Sequence, residues 1–184
     1  GVYNDADQGI IGCGQPTFNW GWNNTFNYKN FDFSFFVVGF HGFDIYNATH
    51  QMGYNLIKSQ QMAGVTPMRE LLNRWTPTNT NTDIPGFVKG GTENKDFFST
   101  RFVENGSFIK MKSITLGYTL PEATCRSLGI NNLRVYASVQ NPFHITKYSG
   151  LDPEATMGSP LVQGVDWGAY PNSRNYLIGL NFSF

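Results

Sequence analysis

The sequence predicts an all-β fold: antiparallel transmembrane β-barrel strands with long extracellular loops. Three observations carry this expectation. Alternation of apolar and polar residues with a period of two recurs in five segments. Each segment is about the 9–11 residues that a tilted strand needs to cross a bilayer, or slightly longer, whereas ordinary sheet strands run nearer 5–6. The connections are alternately short and long, as in barrels with short periplasmic turns and longer extracellular loops.

In the first segment, 17–29, Phe18, Trp20, Trp22, Phe26 and Tyr28 share one face, interrupted by Asn24, while Asn19, Asn23 and Thr25 lie on the other. The second, Phe31 to His41, sets Phe31, Phe33, Phe35 and Val37 against a mixed face of Asp32, Ser34, Phe36, Val38 and Phe40. The third, 107–120, opposes Ile114, Leu116, Tyr118 and Leu120 to Ser113, Thr115, Gly117 and Thr119. The fourth opposes Leu133, Val135, Ala137 and Val139 to Arg134, Tyr136, Ser138 and Gln140. The fifth opposes Tyr176, Ile178, Leu180, Phe182 and Phe184 to Leu177, Gly179, Asn181 and Ser183. Phe18, Trp20, Phe33, Leu116, Val135 and Ile178 are therefore expected to face lipid, and Asn19, Asn23, Thr115, Ser138 and Asn181 the lumen. The same alternation puts Lys110 and Lys112 on the lipid face, near the outer end of the third strand, where long side chains can reach headgroups.

The first two segments are joined at Lys29-Asn30 and the third and fourth by 121–131, whereas about sixty and about thirty residues separate the other pairs. With the last strand ending in the periplasm, both short turns are periplasmic and the long stretches 1–15, 43–105 and 142–172 lie outside. In the long loop Thr66 is placed to cap a short helix that begins at Pro67 and carries Met68, Leu71, Leu72 and Trp75 as one stripe. Five strands cannot close a barrel, whose smallest bacterial form has eight. The chain also begins at Gly1 with neither initiator Met nor signal peptide. It reads as a mature fragment.

Composition agrees. Only 14% of residues are charged while 16% are aromatic, which suits strands with one oily and one wet face. Thirteen basic and thirteen acidic residues give a net charge of zero, so no field for binding nucleic acid exists. Neither the two cysteines, Cys13 and Cys125, nor the three histidines, His41, His50 and His144, have metal-ligand spacing. No cofactor and no enzymatic role are expected. Asp152-Pro153-Glu154 reads as loop architecture, because adjacency alone makes no cleft of the kind glycosidase carboxylates need. A passive porin or adhesin barrel and a secreted carbohydrate-binding β-sandwich remain alternative readings of these patterns.

Several stretches, in order, carry a more specific message. They are Val103-Glu104-Asn105-Gly106-Ser107-Phe108-Ile109-Lys110-Met111-Lys112, Ile114 through Pro121, Val135-Tyr136-Ala137-Ser138-Val139-Gln140-Asn141-Pro142-Phe143, Lys147 through Glu154, and Tyr170-Pro171-Asn172-Ser173-Arg174. Upstream stand Asn73-Arg74-Trp75-Thr76-Pro77 and Thr82-Asp83-Ile84-Pro85. With these the whole chain resembles the SusC/RagA-like TonB-dependent outer-membrane transporters. The resemblance implies the C-terminal portion, 1–184, of a barrel of about 22 strands, with the plug domain and the remaining strands absent. It further implies the outer membrane of a Gram-negative bacterium, energy from TonB, a SusD-like surface lipoprotein as lid, and import of glycan oligosaccharides or peptides.

Two sets of site residues follow. Gly179, Phe182 and the terminal Phe184 resemble the signal read by the barrel-assembly machinery, since a final strand with an open edge can be templated by another sheet. Leu177 departs from it, where such signals often place a polar residue. Trp75, Tyr148, Trp167 and Tyr170 fall on the long loops, where aromatic rings either stack on a substrate or contact the lid, or pack the loops against one another, the commoner fate of any single large ring.

Overall fold

The computed structural model describes residues 8–54, 67–86, 99–157 and 162–184. The five amphipathic segments are strands of one sheet: β1 (Phe18–Tyr28), β2 (Phe31–His41), β5 (Phe108–Thr119), β6 (Asn132–Gln140) and β9 (Asn175–Ser183). They pair antiparallel in the order β1-β2-β5-β6-β9. A short β7 (His144–Thr146) pairs with the outer end of β5. Among the described residues no helix is long and apolar enough to cross a membrane.

Register shows that the alternation is shared across the sheet. Phe26, Phe33, Leu116, Ala137 and Ile178 stand in one row over all five strands. The adjoining row is Thr25, Ser34, Thr115, Ser138 and Leu177, on the opposite face. Ile178 is 85% exposed on that apolar face, not packed between two sheets among the described residues. Glycines let large rings lie flat on both faces. Trp20 occupies the space where a Cβ of Gly39 would sit, and the Tyr136 ring does the same at Gly179.

The two ends differ. At the short-turn end Lys29 takes a φ of 54° in the tight β1–β2 turn, and Asn30 ties that turn to β5, its carbonyl accepting from Thr119 N–H and its side-chain amide donating to the Thr119 carbonyl. The 121–131 connection contains the short helix α2 (Glu122–Ser127). It stops at Gly129, whose φ of +72° lets Ile130 N–H reach back to the Cys125 carbonyl. Cys125 is buried there, whereas Cys13 is exposed at the other end, and both are free thiols.

At the long-loop end the chain builds a second, three-stranded sheet. β3 (Asp44–Asn47) pairs with β4 (Val103–Asn105) and, in parallel, with β8 (Val165–Asp166). The helix α1 (Ala48–Tyr54) follows β3 directly, and Asn47 caps it by accepting from His50 N–H at 2.8 Å. The helix expected from 67 is a single 3-10 turn, Arg69–Asn73. Leu71 is buried but Leu72 is 78% exposed, so the stripe does not form: a turn of three residues brings 71 and 72 to different faces. Thr66, the expected cap, lies outside the described residues.

The loop end also explains the mixed face of β2. Val38, Phe43, Ile45, Phe108 and Tyr148 form one buried cluster with Phe40 packed against it. The polar face is thus wet near the short turns, at Asp32 and Ser34, and dry where loops fold over it. Deeper on that face, Asp32 of β2 and Arg134 of β6 pair at 2.5 Å across β5, and a Cβ on Gly117 would come within 2.4 Å of Asp32. Gly117→Ala in the parent barrel is expected to push the pair apart and cost about 1 kcal/mol. An unchanged denaturant midpoint for the lipid-reconstituted variant would count against it.

Candidate functional site at the long-loop end

Parity along β5 breaks at one residue. Phe36 pairs with Ser113 but Val37 pairs with Met111, so Lys112 is the extra residue of a β-bulge. The bulge moves everything beyond it to the opposite face. Lys110 and Lys112, expected on the apolar face, are therefore on the polar face. The expectation of headgroup contacts is corrected. One inserted residue inverts the period of two that the sequence pattern carries across 107–120.

There the lysines meet the Asp152-Pro153-Glu154 turn. Lys110, 2% exposed, places its Nζ 2.8 Å from Asp152 Oδ2 and 2.7 Å from Glu154 Oε2. Lys112 pairs with the other oxygen of Glu154. Asn172 completes the clasp, its backbone N–H donating to Asp152 Oδ2 at 3.1 Å and its side-chain amide to Glu154 Oε2 at 2.9 Å. Asp152 Oδ1 also accepts from Glu154 N–H, at the start of the 3-10 turn Pro153–Met157. Two ammonium groups thus face two carboxylates, with the remaining carboxylate lone pairs engaged, as a buried ion cluster requires. Burial pushes both carboxyls up, but the lysines and, for Asp152, backbone N–H donors outweigh it and hold both below their ordinary values.

A second knot fixes the loops to one another. Tyr148 donates to Asp166 Oδ2 at 2.5 Å, and Asp166 Oδ1 accepts from Gly168 and Ala169 N–H at 2.8 and 3.0 Å. Burial, then the hydrogen bond to Asp166, pushes the Tyr148 phenol up. Glu104 of β4 accepts from Asn47 Nδ2 and from both the N–H and hydroxyl of Ser149. Glu70 accepts from the Tyr54 hydroxyl at 2.6 Å, which ties the 67–86 stretch to α1.

The four expected loop aromatics fall into different places. Tyr148 is buried and packs the platform. Trp167 stands on the turn that Asp166 holds and is 57% exposed, Tyr170 is 90% exposed, and Trp75 is 46% exposed on the separate 67–86 stretch. Of the assembly-signal residues, Phe182 and Phe184 are exposed with ring centroids 6.2 Å apart, while Gly179 makes room for Tyr136 on the other face. Lys110, Lys112, Asp152, Glu154 and Asn172 were not anticipated as a unit, although matched i, i+2 lysines and carboxylates were visible. Among the described residues no group of three or more His, Cys, Asp or Glu is placed to hold a metal ion.

A single amphipathic sheet of long antiparallel strands, with one face dry to its rim and the other covered by loops only at one end, defines the wall of a transmembrane β-barrel. No family model matches the chain. TonB-dependent receptor P3 of Formosa agariphila is 37% identical over 100% of this chain and 18% of its own length. TonB-dependent receptor SusC of Bacteroides thetaiotaomicron is 33% identical over 89% of the chain and 15% of its own length. The RagAB peptide importer in its closed-closed state superposes with a TM-score of 0.76 at 28% identity, over 93% of this chain and 18% of that one. The chain is therefore a SusC/RagA-like segment of TonB-dependent receptor sequence, spanning less than a fifth of the relatives it matches.

Removing the clasp cation tests its weight. Lys110→Met leaves the buried Asp152 carboxylate without its cation, while Glu154 keeps Lys112, and is expected to loosen 147–157 by about 3 kcal/mol. Lys110→Met combined with Asp152→Asn is expected to cost less, because the charge left over is smaller. Hydrogen exchange of 147–157 in the parent barrel reads both. With folded carboxyl values depressed, the clasp's contribution is fully present above about pH 4 and is lost as pH falls through the depressed values. Protection should hold from neutral pH down to that point, and loss near pH 6 would contradict the assignment.

Proposed function

We propose that this chain forms the C-terminal wall of an outer-membrane importer for nutrient oligomers, glycan oligosaccharides or peptides, in a Gram-negative bacterium. The single observation that carries the reading is similarity to TonB-dependent receptors over the entire chain. A plug domain and the remaining strands complete the barrel, TonB supplies energy through the plug, and a SusD-like surface lipoprotein lids the mouth. The long-loop end faces outward, and the tied loops present Trp167 and Tyr170 to substrate or lid, as the separate 67–86 stretch presents Trp75. The apolar face contacts outer-membrane lipid. Gly179, Phe182 and Phe184 serve as the barrel-assembly signal, with Gly179 also seating Tyr136.

Uptake by the full-length parent is expected to vanish in cells lacking TonB. Equal uptake with and without TonB would instead mark a passive porin. Phe184→Ala is expected to lower the amount of folded barrel while leaving uptake per folded molecule unchanged. A single exposed aromatic accounts for at most a few kcal/mol, so a large loss of folded protein points to recognition during assembly. Normal folded amounts with impaired uptake would place Phe184 in transport instead.

A further inference from the structure

We infer that the outer rim of this wall holds a phosphate of an outer-leaflet glycolipid headgroup, in a notch between β7 and the 171–174 stretch with Arg174 as its cation. The inference rests on the outward orientation of the long-loop end given in the importer reading. The notch follows from where strands end. β6 stops at Gln140, Asn141 turns the chain at a φ of 49°, and β7 takes over the pairing with β5. β9 begins only at Asn175, so among the described residues the far edge of β7 faces no strand. A groove of about 410 Å³ fills the gap, bounded by Phe143 and His144 on one side and by Asn172, Arg174 and Tyr176 on the other. The clasp closes it inward through Lys110 and Asp152.

Charge singles out Arg174. Lys110 and Lys112 balance Asp152 and Glu154 within the clasp, so those four charges sum to zero. Arg174 is exposed and pairs with no carboxylate among the described residues. It is therefore the net charge of the groove. Asp152, the carboxylate in the lining, does not repel an anion, being engaged by Lys110 and Asn172. Depth decides what the guanidinium meets. The lipid-facing row from Tyr176 to Phe184 runs about 26 Å along the strand, which covers most of the roughly 25 Å apolar band of a tilted barrel wall. Tyr176 thus stands at the interface, where aromatics gather, and Arg174 one step further out, among headgroups. The outer leaflet of a Gram-negative membrane presents phosphorylated glycolipid at that level, and a guanidinium fork grips phosphate oxygens in pairs. The other lining groups suit the same lipid. Asn141 and Asn172 use side-chain N–H groups on the Ser173 carbonyl and on the clasp carboxylates, which turns their amide oxygens to sugar hydroxyls. Exposed Phe143 and Tyr176 lie where acyl chains begin.

The test uses the full-length parent, purified from outer membranes in mild detergent, with native mass spectrometry to count retained lipid. The unaltered protein is expected to carry the phosphorylated glycolipid. Arg174→Gln is expected to lower the retained fraction roughly tenfold, the equivalent of one charge-assisted contact. Arg174→Lys, which keeps the charge and loses the fork, should lower it about threefold and serves where the glutamine variant fails to assemble. Lys29→Gln, at the opposite rim, should leave retention unchanged. Delipidated protein is then offered the glycolipid, the same lipid with its phosphates removed enzymatically, and inorganic phosphate. Only the first is expected to raise the thermal midpoint. Absence of the glycolipid from the unaltered protein, retention unchanged in the Arg174 variants, or a matching loss in Lys29→Gln would overturn the inference. An equal midpoint shift with the dephosphorylated lipid would do the same, and one with inorganic phosphate would assign the groove to a free anion instead. TonB-dependent uptake is measured beside retention. Retention without such uptake would remove the importer reading alone, and uptake without retention would remove the lipid site alone.

Discussion

Backbone pairing in hydrocarbon governs everything else in this chain. A membrane offers no water to an unmatched N–H or C=O, so a strand that crosses it needs neighbours along its whole length. That demand makes β1, β2, β5, β6 and β9 long, regular and consecutive in space, although about sixty residues separate β2 from β5 in sequence. It also explains where irregularity is permitted. The three-stranded sheet, α1 and the 3-10 turns all lie beyond the long strands, where water or side chains such as Glu104 and Asp166 can satisfy stray backbone groups.

The same rule makes the bulge at Lys112 informative. An extra residue disturbs the ladder, so bulges are confined to places where another gain offsets the disturbance. Here it lies toward the loop end of β5 and turns two lysines from lipid, where an ammonium is expensive, to the side where Asp152 and Glu154 wait. The clasp then brings the 147–157 stretch down onto Phe108 and Val38, which lets β2 carry apolar residues on both faces at that end without exposing them to water.

Legibility in the sequence followed this division. Strand positions were readable because lipid on one side and water on the other impose a period of two, and β2 came out as the segment Phe31–His41 itself. That Phe33 and Leu116 share a face followed from parity, whereas their pairing in one row did not. What could not be read was any feature that breaks parity or joins distant loops. The lysine flip depends on one bulge, β3 and β8 are four and two residues long, and their pairing spans more than a hundred residues. The expected helix at 67–75 failed for a related reason: its apolar residues fit a helical stripe, but only tertiary contacts decide whether so short a segment forms one.

Burial of Tyr148 shows how a loop can hold an exposed aromatic without being loose. The tyrosine itself touches no solvent of consequence, being 5% exposed, yet its hydroxyl holds Asp166, and Asp166 holds the turn on which Trp167 stands. Gly168, at a φ of +88°, lets that turn close. What is fixed in advance is the backbone of the turn, through the Gly168 and Ala169 N–H groups that donate to Asp166. The clasp does for the 147–157 stretch what Asp166 does for the turn, and both are anchored to β5 or to the sheet that continues from β2. Rigidity at the mouth is therefore inherited from the wall, and the wall's own regularity is set by the membrane.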